Sequence, residues 1–266
     1  MRRLSIVLGA LVLLLAALAC SKEPRLEGRE NFGRFFAQYG VNGSFVLYDP
    51  RRESLVIYNH EVAERNFPPC STFKIVNALL ALDSGAVSGP DQVFHWDGKD
   101  RGNPAWNRDL TMKDAFRSSA VWVFQQIADG MGRESIRNRL SQMNYGNAET
   151  SGPDPFWIEG DLRISALGQV DFLRRLSAGE LVFSEKAQKA VKDMMVLEHD
   201  VEGRILRGKT GMTEKNGLRL GWFVGWVEKE GKNYPFALNI LSDNPRADFM
   251  EARQAIVREI LKTLWI

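Results

Sequence analysis

The sequence predicts an α+β fold: one antiparallel β-sheet flanked by the terminal helices, with a helical domain inserted between its strands. Three observations lead there. β-Branched and aromatic runs occupy 43–58 and return at 204–241, at opposite ends of the chain. Between about 70 and 199 the apolar residues recur at helical spacing instead. The last stretch, 248–264, is an amphipathic helix able to pack back on the sheet.

The chain opens with an export signal. Arg2 and Arg3 precede an apolar run from Ser5 to Ala19 that is shorter than the roughly 20 residues of a membrane span. Ala17-Leu18-Ala19 is a small-residue cleavage pattern, followed at once by Cys20 and the polar Ser21-Lys22-Glu23-Pro24. Residues 1–19 are therefore read as the leader and 20–30 as a linker. Two readings of the junction stand. Ordinary cleavage releases a soluble periplasmic or secreted protein. Alternatively the junction is a bacterial lipobox, with Cys20 lipidated and the chain anchored to a membrane; it departs from the usual lipobox at Ala17, where leucine is common.

Asn31 to Tyr39 reads as a short helix, with Phe32, Phe35 and Phe36 on one face, Asn31 as its cap and Gly40 as its end. Gly43–Tyr48 and Ser54–Tyr58 form a hairpin across the turn Asp49-Pro50-Arg51-Arg52. Ile75, Leu79 and Leu82 mark one helix, and 164–176 and 185–197 two more. Strands follow at 204–210, 220–227 and 234–241. The mature domain, 31–266, thus divides into a sheet lobe (about 31–69 and 200–266) and a helical lobe (about 70–199). Their junction is where a small-molecule cleft is expected.

With 266 residues, 44% of them apolar, the chain can bury a large core. A net charge of +2 argues against a nucleic-acid partner. The two cysteines, Cys20 and Cys70, make no disulfide framework, and the three histidines are scattered without metal-ligand spacing, so no metal is expected.

The chemistry is concentrated in three short segments. Ser71-Thr72-Phe73-Lys74 follows Pro68-Pro69 and opens a helix, so Ser71 and Lys74 project to one side. A serine hydroxyl is a weak nucleophile until a base takes its proton, and a lysine is that base only when its amine is unprotonated. Phe73, Ile75 and Val76 supply the apolar company that favours the neutral amine. On its own the segment is a weak signal, and the simpler reading is an N-cap followed by a solvated lysine. Ser119-Ala120-Val121 is uninformative alone. Lys209-Thr210-Gly211 sits at a strand end, where an edge offers backbone groups to a flat amide and the side chains meet a carboxylate.

In this order the three segments resemble the motif set of the penicillin-recognising serine enzymes, and further matches identify the chain as similar to the class D β-lactamases, the oxacillinases. These are Tyr145-Gly146-Asn147, Trp157 within Phe156-Trp157-Ile158-Glu159-Gly160, Leu162-Arg163-Ile164-Ser165-Ala166, Gly221-Trp222-Phe223-Val224-Gly225-Trp226, and Arg253 within Ala252-Arg253-Gln254-Ala255-Ile256. The likeness spans roughly 40–266 and implies a serine β-lactamase/penicillin-binding transpeptidase-like fold.

The resemblance implies that Ser71 attacks the lactam carbonyl of a penicillin-type drug and is acylated. Lys74 would react with carbon dioxide, from bicarbonate, to become an N-carboxylated base, held by the Trp157 indole; no other cofactor is implied. Ser119 would relay a proton to the leaving nitrogen. The N–H groups of Ser71 and Met212 would form the oxyanion hole, beside Gly211. Lys209, Thr210 and Arg253 would bind the drug's carboxylate, a role for which Arg246 competes. Val121 would cover the modified lysine. Trp222 and Trp226 are read as core, and Tyr145-Gly146-Asn147 as a structural turn. The rival readings are a β-lactam sensor or a penicillin-binding protein, each acylated without efficient turnover, and a non-catalytic lipoprotein on the same fold.

Overall fold

The computed structural model describes residues 24–266; the leader and Cys20 lie outside the described residues. The chain runs β1 (Arg25–Gly28), α1 (Gly33–Gln38), β2 (Asn42–Asp49), β3 (Ser54–Tyr58), α2 (His60–Glu64) and α3 (Lys74–Ser84). Two very short strands, β4 (Val93–Phe94) and β5 (Leu110–Thr111), precede α4 (Met112–Ser118), α5 (Val121–Met131) and α6 (Arg133–Gln142). After a long loop come α7 (Ala166–Ala178), α8 (Glu185–Met194), β6 (Val196–His199), β7 (Ile205–Lys215), β8 (Leu218–Lys229), β9 (Lys232–Ser242) and α9 (Phe249–Thr263).

Seven strands form the main sheet in the order β1-β3-β2-β9-β8-β7-β6. The pairings are antiparallel except one: β1 runs parallel to β3, so the sheet is mixed. This corrects the reading of 20–30 as linker. Arg25–Gly28 is a short polar segment with no alternation to read. Its backbone closes on the free edge of β3 through Arg25 N–H to Glu53 O (3.1 Å) and Arg29 N–H to Ile57 O (2.8 Å), so both sides gain partners. At the other end of the sheet, Asn216 and Gly217 both take positive φ, 52° and 78°, which makes the tight turn between β7 and β8.

Alternation along the strands splits the core in two. On β2, Phe45 and Leu47 face one side and Val46 the other. The first side is covered by α1 and α9: Phe32, Phe35 and Phe36 pack with Phe249, Ile256 and Ile260. The second side is covered by α7 and merges with the helical segment around Phe73, Phe124 and Trp157. The helix α7 falls inside the expected helical lobe, yet it packs against β9, β2 and β8. Its apolar face (Val170, Leu173) is what the sheet's second side needs for cover.

Local differences have local causes. The helix expected from 31 to 39 is divided into a 3-10 turn, Glu30–Phe32, and α1, so Asn31 lies inside the turn and caps nothing. Gly40 does end it, at φ +62°. Ser165 and Ser184 accept N–H groups of the first turns of α7 and α8, which sets their starts. The expected helix 185–197 stops at Met194 because the next residues pair with β7 as β6.

Candidate active site

The nucleophile turn comes first. Pro68 and Pro69 have no N–H to give, but their carbonyls are held, Pro69 O in part by the Thr72 backbone N–H at 3.2 Å. The Trp222 indole N–H donates to Pro68 O at 2.9 Å, and the Thr72 hydroxyl to Pro69 O at 2.6 Å. The Cys70 N–H donates to Trp157 O at 2.9 Å. Between them Cys70 is pinned at φ +53°, a left-handed conformation costly for a residue with a Cβ. The 3-10 turn Cys70–Phe73 then delivers Ser71 to the head of α3, partly exposed.

Lys74 begins α3 and is completely buried, with its Nζ 2.9 Å from Ser71 Oγ. Burial, and then the nearby Lys209 charge, hold its amine well below the usual lysine value. The side chain has no acidic partner among the described residues; the Phe124 ring of α5 lies 5.5 Å from Nζ. The sequence reading missed Phe124. Its signal was present, since Phe124 stands one turn after Val121 on the same helix. Phe73 stacks on Trp157 at 5.4 Å, and Val121 is half-buried at the start of α5.

Trp157 is fully buried, and its indole N–H has no hydrogen-bond partner among the described residues. A buried donor without an acceptor costs about 1–3 kcal/mol. The loop that carries it is closed by the Tyr145-Gly146-Asn147 segment. Asn147 donates to Asp161 O at 2.9 Å and accepts the Arg163 N–H at 2.9 Å, while its own N–H reaches Arg163 O at 3.0 Å. Gly146 is required there: at φ +56°, a Cβ would lie 2.1 Å from Arg163 O. The turn therefore clamps both ends of the loop that presents Trp157.

Across the cleft, Ser119 ends α4 in the left-handed region, at φ 60° and ψ 30°. Lys209 Nζ donates to Ser119 Oγ at 3.0 Å and to Thr210 O at 3.0 Å. Burial, and secondarily the Arg253 charge, bring the Lys209 amine down to about 7. β7 is paired by β6 only as far as Arg207. Gly208 turns its N–H outward to Met195 O. By the alternation of an antiparallel ladder, the N–H groups of Thr210 and Met212 face outward too, into the cleft. Gly211 lets β7 close on the nucleophile turn: a Cβ there would meet Pro69 O at 3.1 Å and Ser71 N at 3.2 Å.

The Arg253 guanidinium, buried on α9, donates to Gly211 O and to Met250 O, both at 2.9 Å. It thus lies against the Lys209-Thr210-Gly211 segment. Arg246 is instead engaged by Gln38 O at 3.0 Å and by Asp248. Beside Lys209 and Thr210 a cavity of about 400 Å³ is walled by Phe116, Arg117, Leu197 and Gln254. Trp222 and Trp226 are core residues, but each indole N–H is also used, on Pro68 O and on Glu228. Ser71 with Lys74, Ser119, Trp157, Lys209 with Met212, and Arg253 are drawn from five separate stretches of chain to one cleft. Among the described residues no group of three or more His, Cys, Asp or Glu side chains is placed to hold a metal ion, and no helix is long and apolar enough to cross a membrane.

The penicillin binding protein transpeptidase domain family matches residues 43–262. The chain is 41% identical to β-lactamase OXA-2 of Salmonella typhimurium over 256 residues, 94% of this chain and 90% of that protein. It is similar to the crystal structure of the class D β-lactamase YbXI from Nostoc, with a TM-score of 0.84 and 38% identity over 90% of this chain and all of that one (100%). It is also similar to the C-terminal domain of the Bacillus licheniformis BlaR penicillin-receptor, with a TM-score of 0.86 and 33% identity over 91% of this chain and 98% of that one.

Proposed function

The chain belongs to the class D serine β-lactamases, and from that premise we propose which of its groups carry each part of the reaction. It hydrolyses the β-lactam ring of penicillin-type antibiotics through an acyl-serine, confers resistance to them, and as a serine enzyme needs no metal.

Ser71 Oγ adds to the lactam carbonyl carbon while its proton leaves toward Lys74, 2.9 Å away. The carbonyl oxygen, gaining charge, is met by the N–H groups of Ser71 and Met212; a preorganised donor of this kind is worth roughly 100-fold or more in rate. The ring C–N bond breaks, and the nitrogen receives its proton through Ser119, which Lys209 orients. Lys209, Thr210 and Arg253 hold the drug's carboxylate. Water then cleaves the ester, returning the proton to Ser71.

The observation that carries this reading is the buried Lys74 amine in contact with Ser71. An amine that burial holds well below its ordinary value would be able to take up carbon dioxide, and the buried Trp157 N–H, which has no acceptor among the described residues, would suit an anionic carboxyl group there. When bound, that carboxyl group supplies an anionic base beside Ser71. Lys74, Trp157 and the Phe124 and Val121 walls would hold it and limit water.

Turnover of nitrocefin, with and without bicarbonate, tests the reading. Repeated cycling stimulated by bicarbonate is expected. A single stoichiometric burst would favour the acylated-receptor reading that the likeness to the BlaR domain keeps alive. The export leader and the Ala19-Cys20 junction further support a periplasmic site with a lipid anchor on Cys20. Globomycin should then leave an unprocessed precursor; normal processing to a soluble product would favour simple cleavage.

A further inference from the structure

Beneath Ser71 lies a hydrogen-bond relay that no catalytic role accounts for. The Thr72 hydroxyl is buried and has one proton, which goes to Pro69 O at 2.6 Å. Its lone pairs are met by Gln169 Nε2 of α7 at 2.9 Å, across 97 positions of sequence. Because Thr72 offers only acceptor capacity on that side, the Gln169 amide must present its NH₂ there. Thr72 and Gln169 are each 1% exposed. Tyr145, fully buried, has Thr72 and Gln169 as polar neighbours, yet its hydroxyl has no hydrogen bond of good geometry.

We infer that Gln169 is a positioning residue for the nucleophile: it fixes the Thr72 hydroxyl, which fixes the Pro69 carbonyl, which sets where the Ser71 N–H and Oγ stand. The turn needs such a hold. Cys70 is strained at φ +53°, and strain of this kind persists only where the surroundings over-determine it. On the far side β7 lies so close to the turn at Gly211 that an added Cβ would stand 3.1 Å from Pro69 O and 3.2 Å from Ser71 N. Any movement of Pro69 is therefore transmitted to the gap between the Ser71 and Met212 N–H groups. Without the Gln169 NH₂, the Thr72 hydroxyl gains a competing partner in the Tyr145 hydroxyl and is free to leave Pro69 O, which is then held only by the longer bond from the Thr72 N–H, at 3.2 Å.

This rests on Ser71 being the nucleophile, and the test separates the two. Acylation of the parent by a penicillin is followed by rapid quench. Affinity is measured for a phenylboronic acid, whose tetrahedral Ser71 adduct uses the same two N–H groups. Gln169→Leu should lower both the saturating acylation rate and the boronate affinity by about 10- to 100-fold, the scale of an ångström-sized misplacement. Binding of penicillin before acylation should change less than about twofold, since the carboxylate anchors are untouched. Gln169→Glu, protonated in this buried site and able to donate one O–H, should recover part of the loss. In a Thr72→Val background, Gln169→Leu should add little, because the relay is already cut. Thr72→Ser, which keeps the hydroxyl, should stay near the parent. Additive losses in the double variant, or losses that follow only the unfolded fraction, would overturn the inference. So would a Gln169→Leu enzyme that acylates at the parental rate. Should Gln169→Leu fail to fold, Thr72→Val and Gln169→Glu carry the same comparison. A parent never acylated would overturn the reading of Ser71 and this inference with it.

Discussion

Replacing Trp157 by phenylalanine isolates one hydrogen atom. The ring stays: it stacks on Phe73 at 5.4 Å and meets Phe156 edge-on at 5.0 Å, and a phenyl group keeps both contacts. In the unmodified enzyme the indole N–H has no partner, so its removal breaks no hydrogen bond and relieves a buried donor worth about 1–3 kcal/mol. The smaller ring leaves a void that costs a similar amount, by the usual large-to-small penalty. The two offset, and the melting temperature of carbon-dioxide-free enzyme should move by only a few degrees, about 1 kcal/mol at most. With Lys74 carboxylated the balance changes. A charge-assisted hydrogen bond is lost, worth about 1.5–3 kcal/mol. At about 1.4 kcal/mol per tenfold, the bicarbonate needed for half-maximal activity should rise about 10- to 100-fold. Steady-state hydrolysis across a bicarbonate titration measures this, and labelled bicarbonate should give a carbon-13 carbamate signal that saturates along the same curve. Saturating bicarbonate should restore most of the activity. A variant with the parent's bicarbonate dependence would refute the assignment of the Trp157 N–H to the modified lysine.

Three further outcomes are expected. Ser71→Ala should show no covalent penicillin adduct by intact mass, where the parent shows one; an adduct on the variant would move the nucleophile elsewhere. Arg253→Ala should lower kcat/KM by about 2 kcal/mol, roughly 30-fold, through loss of a charged partner for the drug's carboxylate and of the brace on Gly211 O. Arg246→Ala, which frees only Gln38 O and Asp248, should be near neutral, and the reverse pattern would reassign the carboxylate site. Folding lowers the Lys209 amine from 10.5 to about 7, so between those values the unfolded chain binds the extra proton. Stability of bicarbonate-free enzyme should therefore rise with pH across that window, and Lys209→Met should remove that part of the slope in melting temperature. An unchanged slope in the variant would place the Lys209 amine at its ordinary value when folded.

Much of the fold was legible because its signals are local. The apolar β-branched and aromatic runs at 220–227 and 234–241 marked strands that extend to 218–229 and 232–242, since both faces of β8 and β9 are buried and their apolar runs are long. Helical spacing located α7 and α8 to within a few positions. What failed was also local in kind. Arg25–Gly28 is polar and short, so nothing in its composition announces that the free edge of β3 awaits it. The strand β6 was absorbed into a helix because Val196 and Leu197 continue the apolar pattern of α8.

The sequence by itself determined which two side chains meet at the start of α3. Ser71 and Lys74 are three positions apart at a helix start, and chain geometry alone brings their side chains together, as the 2.9 Å contact bears out. Only the tertiary structure decided what surrounds that pair. The Lys209–Ser119 contact joins positions 90 apart, Trp222 reaches Pro68 across 154, and Gln169 reaches Thr72 across 97. Such partners follow from how the sheet, α7 and the helical segment pack, and no local pattern encodes a packing distance. The same holds for the energetics. The sequence showed apolar neighbours at Phe73, Ile75 and Val76, but only the packing decided that the side chain is fully buried, and that burial, then the nearby Lys209 charge, holds the Lys74 amine well below its ordinary value.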